Sequence, residues 1–150
     1  MSNDKAAILI KKKALMIEKL SNHELAPYGL THTQYKILML LYRMQDQPLC
    51  QIDIETHFAM TNPSVTGILQ NLEKKGLVER IQNPDDRRSK LLHLTEKALA
   101  MQGELHALGE SLENQVTANL TQEESQQLII LLKKILANEP QRKEVVHGKS

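Results

Sequence analysis

The sequence predicts a mainly α fold carrying one small, two-stranded β-element. Three observations carry that prediction. Leu, Lys, Glu, Gln and Ala abound, while Trp is absent and Phe58 is the only Phe. Chain-breaking signals fall at Pro27-Tyr28-Gly29, Asp46-Gln47-Pro48, Gly76 and Asn83-Pro84-Asp85-Asp86. Between them, apolar residues recur at steps of three and four, and only two short runs read as strands. A chain of 150 residues suits a single domain with one core. With so few aromatics, that core must be built from Leu, Ile, Met and Val.

The first helix runs from about Asp4 to Leu25, with Ile8, Leu9, Leu15, Met16 and Leu20 on one broad face. Thr31 is the N-cap of a second helix, with Tyr35, Leu38, Leu41 and Tyr42 inward and Lys36 and Arg43 outward. After Pro48, Ile52, Ile54 and Phe58 mark a short third helix, and Ala59-Met60-Thr61 makes a turn. Asn62 then reads as the N-cap of a fourth helix with Pro63 in its first position. That helix carries Val65, Ile68, Leu69 and Leu72 on its inner stripe, and Ser64, Thr66, Gln70, Asn71 and Lys74 on the opposite face. Gly76 stops it, where a left-handed residue is needed. Residues 77–82 and 90–94 are the strand-like runs, joined by a polar turn too long for a tight hairpin. Thr95 caps a long helix bearing Met101, Leu105, Leu108, Leu112 and Val116. Thr121 and Glu124 form a capping box that starts the last helix, whose stripe is Leu128, Leu131, Leu132, Ile135 and Leu136. A polar tail, 139–150, is expected to be flexible.

Several function classes find no support. No apolar run approaches the roughly 20 residues of a membrane span. The N-terminus has Lys11-Lys12-Lys13 but no apolar stretch followed by a small-residue cleavage site, so a soluble cytoplasmic protein is expected. Cys50 is the only cysteine, which excludes an internal disulfide and a Cys-based zinc knuckle. It reads as a small half-buried residue, with nothing nearby to lower its pKa. The six histidines, His23, His32, His57, His93, His106 and His147, never pair at i, i+3 or i+4, so no metal site or cofactor is expected. No phosphate loop, nucleophile elbow or supported carboxylate–His–Ser set points to an enzyme.

The net charge is only +1, but its distribution is uneven. Between Lys74 and Lys90, six basic groups (Lys74, Lys75, Arg80, Arg87, Arg88, Lys90) face three acidic ones (Glu79, Asp85, Asp86), a local +3. From Ala98 to Leu132 there is no Lys or Arg. A short helix, a three-residue turn and a second helix faced with small polar residues make a helix-turn-helix. Ser, Thr, Asn and Gln are short and carry donors and acceptors, which suits a helix lying in a DNA major groove. The ribbon that follows pushes Arg87 and Arg88 outward, as a minor groove with its focused negative potential would require. Asp86 reads as a brace for Arg88. A helix pair with a tight turn occurs in many all-α folds, and paired loop arginines are usually solvated; their order and spacing together are what point to double-stranded DNA. The residues expected at DNA are Thr61, Asn62, Ser64, Thr66, Gly67, Gln70, Asn71, Lys74, Arg87, Arg88 and Lys90.

Three segments resemble the MarR (multiple antibiotic resistance regulator) family. Leu30-Thr31-His32-Thr33-Gln34-Tyr35-Lys36-Ile37-Leu38 is similar to its LTxxQxxVL opening of the second helix. Residues 61–69 and 72–78 are similar to its recognition helix and the exit into the wing, and Asp86-Arg87-Arg88 followed by Leu94-Thr95 to its wing signature. The resemblance covers roughly residues 5 to 138. It implies a winged helix-turn-helix part at 30–95 and a helical dimerisation part at 4–26 and 96–138, in a triangular homodimer. The apolar stripes of 98–118 and 125–137 agree, being too extensive for so small a domain to cover alone. The resemblance further implies a repressor on a pseudo-palindromic operator, released by a small aromatic or phenolic effector. By analogy the effector pocket draws on Tyr35, Met39 and the start of the long helix. The sequence departs from the family where Ala98 replaces a frequent Gly. It also lacks the first-helix cysteine of the redox branch, and it has Lys36 where the zinc-sensing branch has His. Two alternatives remain: a helical dimerisation module for a protein partner, and a metal-responsive regulator.

Overall fold

The computed structural model describes residues 4–137; the expected tail at 139–150 and His147 lie outside the described residues. The elements are α1 (Ala6–Leu25), a 3₁₀ turn (Ala26–Tyr28), α2 (His32–Arg43), α3 (Gln51–Phe58), α4 (Asn62–Lys74), β1 (Val78–Gln82), β2 (Lys90–Leu94), α5 (Glu96–Val116) and α6 (Gln122–Ala137). The chain divides into two compact units after Leu112, within α5.

In the first unit, local chemistry sets the helix starts. The Thr31 hydroxyl accepts from the Gln34 amide at 3.2 Å, and the Gln34 side chain accepts from the Thr31 amide at 3.1 Å, a reciprocal capping box. Gly76, at φ +73°, follows the end of α4 as expected. The start of α4 differs from the expectation by one residue. Thr61 is the N-cap, its hydroxyl accepting from Ser64 N at 3.3 Å. Asn62 and Pro63 therefore fill the first and second helical positions, and the Asn62 amide is drawn instead to Glu55 at 2.8 Å. Ala59, at φ +54°, makes the turn between α3 and α4.

The core of this unit gathers Leu25, Ile37, Leu38, Leu41, Ile54, Val65, Leu69, Leu72, Leu77 and Leu92, with Ala98 and Leu105 from α5. Of the apolar residues that mark α3, Ile52 is 64% exposed. It lies two residues from buried Ile54, more than half a helical turn away, and an eight-residue helix has only one inner side. Ala98 is fully buried and its carbonyl accepts from the Tyr42 hydroxyl at 2.5 Å. The Tyr35 hydroxyl donates to the Leu105 carbonyl at 3.4 Å. A Cβ on Gly109 would collide with that phenol oxygen, so any larger residue there must displace the Tyr35 side chain.

β1 and β2 pair antiparallel, from Val78 opposite Leu94 to Gln82 opposite Lys90. Cys50 adds a single bridge to Leu91, and Leu92 N donates to Leu49 O at 2.8 Å. Thr95 caps α5 by accepting from Ala98 N at 3.2 Å. In the second unit, Thr121 and Glu124 form the expected capping box, at 2.9 and 3.1 Å. No residue of α6 is buried; Ile129, Ile130, Leu131, Ile135 and Leu136 are all exposed in the single chain.

Candidate nucleic-acid interface

α4 sorts its side chains into two opposite faces. Val65, Leu69 and Leu72 are fully buried and anchor the helix on the first unit's core. Ser64, Gln70, Asn71 and Lys74 are exposed on the other side, with Thr61 and Asn62 exposed at its N-terminus and Thr66 and Gly67 half-buried along its flank. A Cβ on Gly67 meets nothing within 4 Å, so no internal packing demands a glycine there.

The wing loop holds its arginines outward through its own hydrogen bonds. Asn83 Oδ1 accepts from Asp85 N at 2.9 Å, and Gln82 Nε2 donates to the Arg87 carbonyl at 2.9 Å. Asp86 Oδ1 accepts from Arg88 N at 2.9 Å and lies 3.6 Å from Arg88 Nε. The carboxylate thus holds the backbone of Arg88 and lies beside its side chain, which is 92% exposed. Asp86 has the geometry of the expected brace.

Two of the six basic groups in this region turn inward. The Lys75 ammonium donates to the Gly29 carbonyl and, at 3.0 Å, to Gln34 Oε1, tying the end of α4 to the start of α2. Arg80 Nε donates to Glu73 Oε2 at 3.2 Å. The exposed cations are Lys74, Arg87, Arg88 and Lys90. Composition could not separate these roles, because the distinction lies in which carbonyl or carboxylate the fold brings within reach.

Tyr35 and Met39, expected at an effector pocket, face the interior. Tyr35 is buried and spent on Leu105, and Met39 packs against the core. An open groove of about 760 Å³ is lined by neither; Asn22, Leu30, Thr31, Met60, Ser64 and Ile68 are among its walls. The Cys50 thiol is pushed up from its ordinary pKa chiefly by burial, the direction opposite to activation. Among the described residues, no group of three or more His, Cys, Asp or Glu is placed to hold a metal ion, and no helix is long and apolar enough to cross a membrane.

Residues 30–90 match the model of the MarR family. Over 120 residues the chain is 32% identical to the multiple antibiotic resistance protein MarR of Escherichia coli, an alignment covering 79% of this chain and 82% of that protein. Among solved structures, the Staphylococcus aureus MepR–DNA complex is similar with a TM-score of 0.84 and 26% identity, covering 91% of this chain and 100% of that one. A mutant MarR from E. coli complexed with operator DNA has a TM-score of 0.78 and 30% identity, covering 87% of this chain and 92% of that one.

Proposed function

The chain belongs to the MarR family of DNA-binding transcriptional regulators, and from that premise we propose that it is a homodimeric, effector-released repressor of a pseudo-palindromic operator. The observation that carries the reading is α4 itself: an apolar face fixed in the core beneath an exposed row of Ser64, Gln70, Asn71 and Lys74. Such a row offers short donors and acceptors to base edges in a major groove. Arg88, braced by Asp86, suits the adjacent minor groove, while Arg87, Lys90 and Lys74 suit phosphates. Thr61, Asn62, Thr66 and Gly67 complete the proposed contact surface.

Homodimerisation is supported by the exposed apolar residues of α1 (Ile8, Leu9, Leu15, Met16) and of α6 (Ile130, Leu131, Leu136). A two-fold dimer presents two copies of α4 to half-sites about one helical turn apart. Release by a small aromatic or phenolic effector requires that molecule to favour the form that does not bind DNA. A DNA-binding regulator of this kind acts in the cytoplasm and needs no catalytic residue.

The reading is tested by selecting duplexes from a random pool with the full chain, then measuring fluorescence anisotropy against scrambled competitor. Competitor-resistant, nanomolar binding to the selected duplex is expected. Equal affinity for selected and scrambled duplexes would overturn it. Gln70→Ala should lower affinity for the selected duplex while sparing the scrambled one.

A further inference from the structure

Gln51 opens α3, and its one amide group reaches three elements. Nε2 lies 2.8 Å from Thr66 Oγ1, 3.1 Å from Glu55 Oε2 and 3.4 Å from the Asn62 carbonyl. Oε1 faces Arg80 Nη1 at 3.5 Å. Glu55 also accepts from Asn62 Nδ2 at 2.8 Å, and Arg80 is held in turn by Glu73 at 3.2 Å. Carboxylate and guanidinium fix the orientation of the amide. Glu55 can only accept, so it takes the nitrogen; Arg80 can only donate, so it takes the oxygen. The two amide hydrogens then go to the two shortest contacts, Thr66 and Glu55.

The Thr66 oxygen accepts from Gln51 through one of its two lone pairs, which restricts the directions left to its hydrogen and its second lone pair. We propose that Gln51 is a specificity-determining positioning residue for DNA recognition, holding the Thr66 hydroxyl in a restricted orientation and locking α4 to α3 and to the base of the wing. The inference rests on the reading of α4 as the recognition helix. An oriented hydroxyl meets only a base edge whose group lies along its hydrogen or its remaining lone pair, such as a purine N7, guanine O6 or thymine O4 along the hydrogen. Without Gln51 the hydroxyl can turn either way, so discrimination at that base falls while phosphate contacts stay.

The test uses the full chain as wild type, Gln51→Ala, Thr66→Ala and the double variant, on the duplex selected by the wild type and on a scrambled one. Gln51→Ala should lower the preference for the selected duplex about tenfold and leave the salt dependence of binding unchanged. Thr66→Ala should do the same, and the double variant should lose no more than either alone. Gln51→Glu keeps the length but cannot donate to Thr66, and should lose the preference as Gln51→Ala does. The inference is overturned if Gln51→Ala leaves the preference intact, weakens both duplexes equally, or lowers the salt slope, or if the two losses add. A wild type that discriminates no duplex would remove the reading of α4 and this inference with it; a discriminating wild type with an indifferent Gln51→Ala removes the inference alone.

Discussion

Replacing Arg88 by alanine isolates the electrostatic share of the wing. The side chain is 92% exposed and its ion-pair partner, Asp86, is itself 46% exposed, so solvent screens the pair and the fold should not notice its loss. DNA should notice. Each cation placed against duplex DNA contributes about 0.9 to the slope of log affinity against log salt. A dimer carries Arg88 twice, so Arg88→Ala should flatten that slope by about 1.8. Raising salt from about 50 mM to about 200 mM spans roughly 0.6 decades, and the wild type should lose about tenfold more affinity over that range than the variant. Anisotropy titrations on selected and scrambled duplexes at four or five salt concentrations measure both slopes. The flattening should be equal on the two, because phosphate and groove potential carry little sequence. An unchanged slope would refute the placement of Arg88 at DNA. A lowered thermal midpoint would refute the claim that Asp86 and Arg88 serve each other and not the fold.

Three further outcomes are expected. Gly67→Ala should stabilise the protein by about 0.5–1 kcal/mol, since the added Cβ meets nothing within 4 Å; a lower melting midpoint would contradict the open flank of α4. His32 is held below its ordinary pKa by burial first and Lys36 second, with Glu18 opposing, and its Nδ1 lies 2.8 Å from the buried Ser21 hydroxyl. A histidine depressed in the folded state contributes stability that is present above about pH 6.5 and lost as pH falls through the folded pKa; urea titrations at descending pH should show that loss for the wild type and a shallower one for His32→Asn. Leu136→Glu should shift the protein from dimer to monomer by light scattering, because Leu136 is 67% exposed in the single chain and a monomer tolerates a charge there; a persistent dimer would remove Leu136 from the interface.

Local signals were the legible part of this fold. Thr31 with Gln34, Thr121 with Glu124, and Gly76 each satisfy backbone groups within a few residues, so spacing alone identifies them. The α4 stripe was legible for the same reason. Two adjacent capping residues were not separable by type: Thr61 won over Asn62 because Glu55, seven residues earlier, claims the Asn62 amide. Long-range pairings left no periodic trace. The bridge from Cys50 to Leu91 involves a single residue pair, and the crowding at Gly109 exists only because the Tyr35 phenol arrives there. The basic residues were legible as a cluster, but the inward turn of Lys75 depends on the Gly29 carbonyl and Gln34, more than forty positions away. The role of Gln51 was hidden likewise, since its partners lie on three elements.

The measurement that meets the account most directly is hydroxyl-radical and guanine-methylation footprinting of the full chain on its selected duplex. Two major-groove blocks of protection, related by two-fold symmetry and separated by about 10–10.5 base pairs, are predicted, each flanked by a protected minor groove that reopens with Arg88→Ala. A single asymmetric block, or protection that spares the major-groove face of guanines, would contradict a two-fold dimer reading DNA through α4.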